Sequence, residues 1–137
     1  MTFFKRMDIG RLYVIRIELP DGVVVHKIGM THSDRATDRM MEILRSWFTR
    51  YRFVPYSELK LDMECHHPMV LEGHLHSILA DFAFIPNEKV SGGTEMFTGV
   101  NELRLLHYIR NFNENLVDNF SVLTEQESRI VGQLLAG

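Results

Sequence analysis

Two apolar runs separated by a three-residue turn constrain the fold of this chain more than any other feature. Leu12 to Leu19 and Val23 to Met30 are rich in Ile, Val and Leu, and Pro20-Asp21-Gly22 lies between them. Branched side chains favour extended backbone, while Pro, Asp and Gly supply turn geometry. A three-residue hairpin loop with Gly in the left-handed position then sets the register. Leu19 faces Val23, Ile17 faces Val25, Ile15 faces Lys27 and Tyr13 faces Gly29. Diagonal neighbours on one face of an antiparallel pair stand roughly 7–8 Å apart. Tyr13 and Lys27 therefore share a face, within reach of each other.

Beyond the hairpin the pattern turns mostly helical. Over Arg35 to Phe48, the residues Ala36, Met40, Ile43, Leu44 and Trp47 repeat as one apolar stripe, with Arg39 at its rim. Arg52 to Cys65 predicts a third strand, interrupted around Pro55. Pro68 opens a second helix, where its missing amide hydrogen costs nothing. Leu71, Leu75, Ile78, Leu79 and Phe82 form the buried stripe of that helix, flanked by Glu72 and His76. Asn87 to Gly93 reads as a loop, Thr94 to Thr98 as a short extended piece and Asn101 to Asn115 as a third helix. Thr124-Glu125-Gln126-Glu127 has the form of a capping box, so a last helix runs towards Leu135. The expected class is α+β: a small three-stranded antiparallel sheet flanked by helices, with extra helices at the C-terminus.

A chain of 137 residues is of the size of one compact domain. It holds no run of about 18 apolar residues, so no membrane span is expected. Met1 to Arg6 lacks the pattern of an export signal, and Cys65, the single cysteine, can form no internal disulfide. A reducing cytoplasm is the expected compartment. The net charge of −3 hides an asymmetry. Residues 1–60 hold eleven Lys/Arg and seven Asp/Glu, whereas residues 61–137 hold four and eleven. A basic front and an acidic back can orient a protein on a phosphate backbone. Arg35, Arg45, Arg50 and Arg52 are the expected phosphate contacts, along the first helix and into the third strand.

Several ordered pieces resemble the GIY-YIG nuclease superfamily. Leu12-Tyr13-Val14-Ile15 looks like the first half of its signature, and Lys27-Ile28-Gly29 like the second half in its KIG variant. Thr31 and then Arg39 on a helix follow in family order. Glu72-Gly73-His74-Leu75-His76 matches the later helix that carries a Glu, often followed by Leu-His. Gly93-Thr94-Glu95-Met96-Phe97 resembles the Gly-x-Glu-Trp-Phe piece of phage-type relatives. Arg11 stands where the signature opens with Gly, and Lys27 where it has a second tyrosine. Some restriction-enzyme members also carry Lys there and are thought to use it to hold the first tyrosine near its ionised form.

The resemblance spans roughly residues 11–100. It implies a GIY-YIG-like nuclease domain over 1–100, with 101–137 as C-terminal helices packed on the same domain. It further implies a metal-dependent endonuclease acting through Tyr13, Lys27, Arg39 and Glu72. These residue types suit the chemistry. An ammonium beside a phenol favours phenolate, so Tyr13 next to Lys27 is a credible base. Arg39 offers a planar fork of donors to phosphate oxygens. Glu72 is a hard oxygen ligand for Mg2+ (or Mn2+), which takes few carboxylates and keeps several waters. Nucleic acid is the implied partner, DNA before RNA, and the C-terminal helices are left free to dock a second copy or a protein.

Two other readings stay open. Cys65, His66, His67, Glu72, His74 and His76 form a group of metal-ligating types, but adjacent residues point in different directions, which is poor ligand spacing. Glu72 and His76, one turn apart, could share an ion. The second reading is a catalytically inactive binding or inhibitory protein on the same fold, phage-encoded. The acidic back half favours it, as does the lack of room for a separate recognition module.

Overall fold

The computed structural model describes residues 9–32, 35–86, 95–119 and 123–137, with 115–119 described in backbone only. The expected loop over Asn87–Gly93, the residue Thr94 and the opening Met1–Arg6 lie outside the described residues. Elements run in the order β1 (Gly10–Glu18), β2 (Val24–Thr31), α1 (Ala36–Tyr51), β3 (Tyr56–Cys65), α2 (Pro68–Ile78), a 3-10 turn (Ala80–Phe82), β4 (Met96–Thr98), α3 (Glu102–Asn119) and α4 (Glu125–Gln133).

The hairpin closes as its turn residues require. Gly22 takes φ +87°, its N–H donates to the Leu19 carbonyl at 2.9 Å, and the Leu19 N–H donates to the Val23 carbonyl at 2.9 Å. The register pairs Ile17 with Val25, Ile15 with Lys27 and Tyr13 with Gly29, as the sequence predicts. The sheet, however, has four strands and not three, in the order β3-β1-β2-β4, all antiparallel. The added strand is the short extended piece before Asn101. Three of its residues pair with Val25, His26 and Lys27, and residues 83–84 in turn cover its outer side.

The central strand β1 is buried on both faces, and its alternation sorts the core into two halves. Tyr13, Ile15 and Ile17 pack with Val25, Met96 and the α1 residues Ala36, Ile43 and Trp47. Leu12 and Val14 pack with Ile28, Leu71, Leu75, Leu105 and Ile109, so α2 and α3 lie on the opposite face. Between β1 and β3 the register shifts: Val14 pairs with Leu61 and Ile15 with Leu59. The unpaired Lys60 is a bulge, which lets Leu59 and Leu61 serve opposite halves of the core despite their even spacing.

Arg52 ends α1 in the left-handed region, at φ 63°, with its N–H on the Phe48 carbonyl at 2.9 Å. Glu102, in the first turn of α3, ties that helix to three strands. His26 Nε2 donates to its carboxylate at 2.9 Å, and Arg16 and Lys60 lie 3.7 Å from it. The Thr124 capping box opens α4 as expected. This last helix packs on the end of α2 through Gly132, where an added methyl would fall 2.0 Å from the Ile78 carbonyl oxygen. Backbone cannot give way as a side chain can. Gly132→Ala is expected to destabilise the fold by about 1–3 kcal/mol, the usual cost of overpacking. Thermal unfolding followed by circular dichroism checks this, and an unchanged midpoint would mean that α4 is not held against α2.

Candidate functional site

The site begins with a gap that only glycine leaves. Tyr13 and Gly29 are directly paired, and a methyl on Gly29 would sit 2.5 Å from the Tyr13 hydroxyl and 3.2 Å from Lys27 Nζ. The hydroxyl end of the phenol therefore lies against Gly29, on the side where the lysine ammonium also approaches. Lys27 Nζ stands 6.0 Å from the centroid of the Tyr13 ring. Both side chains are almost wholly buried, Tyr13 at 1% exposed and Lys27 at 0%. A lysine so placed on an otherwise apolar face is rare without a function or a partner.

Arg39 comes from the first turns of α1, on the same face. It is half-buried, hydrogen-bonds the Tyr13 side chain, and donates from Nη1 to Glu42 at 2.8 Å. Glu72 comes from α2, on the opposite face of the sheet. Among the described residues, β4 pairs with β2 as far as Lys27. His76 Nε2 takes up the Ile28 carbonyl at 3.1 Å. Glu72, one turn earlier on α2, is half-buried and near enough for its charge to act on both Tyr13 and Lys27. The four residues are thus brought together, though from two sides of the sheet.

The protonation balance differs from the one the sequence suggested. Burial raises the Tyr13 phenol above its usual range; the Arg39 hydrogen bond and charge oppose this, while Glu72 adds to it. The cation that acts on the phenol is thus Arg39, and burial outweighs it. Lys27 is lowered from 10.5 to about 7, first by burial and then by the like charge of Arg39, with Glu72 opposing. Its proton is the more easily lost.

Glu95 is a neighbour that residue-by-residue reasoning missed. Its carboxylate pairs with Lys27 Nζ from the residue just before β4, while remaining 30% exposed. The pairing favours the ammonium, in the same sense as Glu72. A signal was available, because Glu95 is the acidic member of the Gly-x-Glu-Trp-Phe-like piece. Its distance from Lys27 along the chain hid the contact.

The donor set has one fit to a metal. Among the described residues, no group of three or more His, Cys, Asp or Glu side chains is gathered as a metal site. His76 spends Nε2 on backbone, and His74 gives Nε2 to the Tyr108 hydroxyl at 2.6 Å while stacking on Phe112. Of the carboxylates around the phenol, Glu42 pairs with Arg39 and Glu95 with Lys27, which leaves Glu72; one carboxylate suits Mg2+, which keeps many waters, and does not suit zinc.

Arg35, Arg45, Arg50 and Arg52 are exposed along α1 and just past its end. Arg35 lies 3.9 Å from Asp38; among the described residues no ion pair engages Arg45, Arg50 or Arg52. No helix among the described residues is long and apolar enough to cross a membrane.

Neither a curated protein nor a solved structure matches this chain. The T5orf172 domain matches over residues 10–113, from the first residue of β1 into α3, and so takes in the hairpin, Arg39, Glu72 and Glu95. On that match the chain belongs to the T5orf172 domain family, a phage-associated domain of the GIY-YIG-like endonuclease type.

Proposed function

We propose that this protein is a metal-dependent endonuclease that hydrolyses phosphodiester bonds in nucleic acid, DNA before RNA, through Tyr13, Lys27, Arg39 and Glu72. The observation that carries the reading is the meeting of a buried phenol, a buried lysine and a guanidinium by Gly29, with the Glu72 carboxylate near enough to act on the first two. Lys27 in place of a second tyrosine supports a KIG-type site. Helices α3 and α4 belong to the same working unit.

Hydrolysis requires a proton to leave water as its oxygen bonds to phosphorus, and negative charge on the phosphoryl oxygens to be offset. Burial and Arg39 draw Lys27 down to about 7, against the pull of Glu72 and Glu95, and so favour its service as proton acceptor, directly or through the Tyr13 hydroxyl. Arg39 holds the phenol and points a charged fork of donors at the same place, where phosphate oxygens would sit. Glu72 would hold Mg2+ or Mn2+, which when bound polarises the phosphate and steadies the leaving oxygen.

The test is cleavage of single- and double-stranded DNA and RNA by purified protein with Mg2+, Mn2+ or chelator. Metal-dependent cleavage is expected, with a rate that rises through pH ~7 as Lys27 loses its proton. Zero turnover on every substrate would leave a binding or inhibitory protein on the same fold. Nucleic acid is expected to lie along α1. Neutralising Arg35, Arg45, Arg50 and Arg52 together should flatten the log–log salt dependence of duplex binding by about three to four units, one release per phosphate contact. An unchanged slope would place the binding surface elsewhere.

A further inference from the structure

At the far end of α1 from Arg39, the chain builds a second recess that the cleavage chemistry does not use. Trp47, Tyr51 and Phe53 cluster there, with Trp47 and Tyr51 stacked at 5.1 Å and 28°. Phe53 lies 6.1 Å from Trp47 and 5.8 Å from Tyr51, tilted against both. With Leu19 of the hairpin and Phe84 they line a cleft of about 340 Å³. The sequence across this corner reads Arg50-Tyr51-Arg52-Phe53, so Tyr51 and Phe53 each follow an arginine. Both arginines are exposed, and no ion pair among the described residues engages them. Arg52 is also the one described non-glycine residue at positive φ, a conformation that costs energy and turns the chain where charge and aromatic surface meet.

We propose that this cleft is a subsite for an unpaired nucleobase, which stacks on the Tyr51–Phe53 surface while its flanking phosphates meet Arg50 and Arg52. The reading rests on the protein's acting on nucleic acid, and it makes the substrate one with single-stranded or locally opened character. Base–aromatic stacking tolerates any base, because every base has a π face, and alternating arginine supplies the backbone charge that a peptide ligand would not need. Asp21, which also lines the cleft, repels phosphate and so disfavours entry of the backbone on its side. The cleft lies on the same sheet face as Tyr13 and Arg39. Leu19 is six residues from Tyr13 along β1, about 20 Å at ordinary strand rise. A base held in the cleft is therefore a few nucleotides away from the phosphate at the reacting centre.

Trp47 is the only tryptophan of the chain, so its emission reports on this cleft alone. The full-length protein is titrated, without added metal, with a short single-stranded DNA and with an abasic strand of the same length and charge, following both Trp47 emission and anisotropy of the labelled strand. The base-bearing strand should quench Trp47 saturably and bind tighter than the abasic one. Tyr51→Ala should weaken it roughly ten- to a hundredfold, with the abasic strand little changed and the circular dichroism spectrum retained. Equal binding of the two strands with unmoved Trp47 emission overturns the proposal, as does quenching by an apolar peptide and not by DNA. Because the readout needs no cleavage, a catalytically inactive protein would fail the function proposed above while leaving this subsite intact.

Discussion

Glu72→Gln should yield a folded protein that still binds nucleic acid and whose metal-dependent cleavage has fallen by orders of magnitude. The substitution keeps size and removes one negative charge. An oriented metal contributes several kcal/mol of charge stabilisation in the transition state, and each 1.36 kcal/mol is a factor of ten in rate. Folding should survive because Glu72 is only half-buried, and Leu71 and Leu75 hold that helix to the sheet. Binding should hold or tighten slightly, since a carboxylate that repels phosphate has gone. Full turnover in a well-folded Glu72→Gln protein would sink the mechanism.

Lys27→Met is expected to move activity and stability in opposite directions. Methionine fills nearly the same volume without a charge, so cleavage should drop by several orders of magnitude while the thermal midpoint rises. The stability gain follows from burial. Lys27 is wholly enclosed in the fold, and its ammonium is held at about 7 in place of 10.5. Between those values the unfolded chain binds more protons than the folded one, so folding stability rises with pH across that window. Below pH ~7 both states are protonated and the burial penalty is present in full. The variant should therefore be most favoured over wild type at or below neutral pH, with the gap closing towards pH 10. Glu95 loses its partner in the variant, but it is part-exposed and water can solvate it. Paired melts at pH 6.5 and 9 check this; a lower midpoint at pH 6.5 for the variant would show that the Lys27–Glu95 pair stabilises more than burial costs.

How much of this could be read from the chain differs by element, for physical reasons. The hairpin register was legible, because side chains alternate with period two and a turn of known length leaves one pairing; Tyr13 and Lys27 on a shared face came with it. Helix faces were legible from their stripes, which placed Arg39 at a rim. The fourth strand was not: Met96–Thr98 is three residues long, and only its partner β2 makes it a strand. For the same reason the Lys27–Glu95 contact, 68 residues apart, left no local pattern. Glu72 was expected to lean over the sheet with Arg39. The two helices lie on opposite faces, so Glu72 acts from across the sheet, a placement that the stripe of α2 alone does not fix. The order of proton affinities was misread because enclosure, not the nearest charge, dominates both Tyr13 and Lys27.

The strand order puts β3 on the outside of the sheet, with a ten-residue edge. Such an edge is a template on which a second copy can add its own strand, and long ones drive self-association. Here every second residue from Glu58 to Glu64 is charged, Glu58, Lys60, Asp62 and Glu64, and the Lys60 bulge breaks the regular ladder at its middle. Joining two sheets through this edge would crowd those charges against a second copy and meet an irregular row of hydrogen-bonding groups. The bulge that lets one strand serve both halves of the core therefore also keeps neighbouring molecules from zipping together along it.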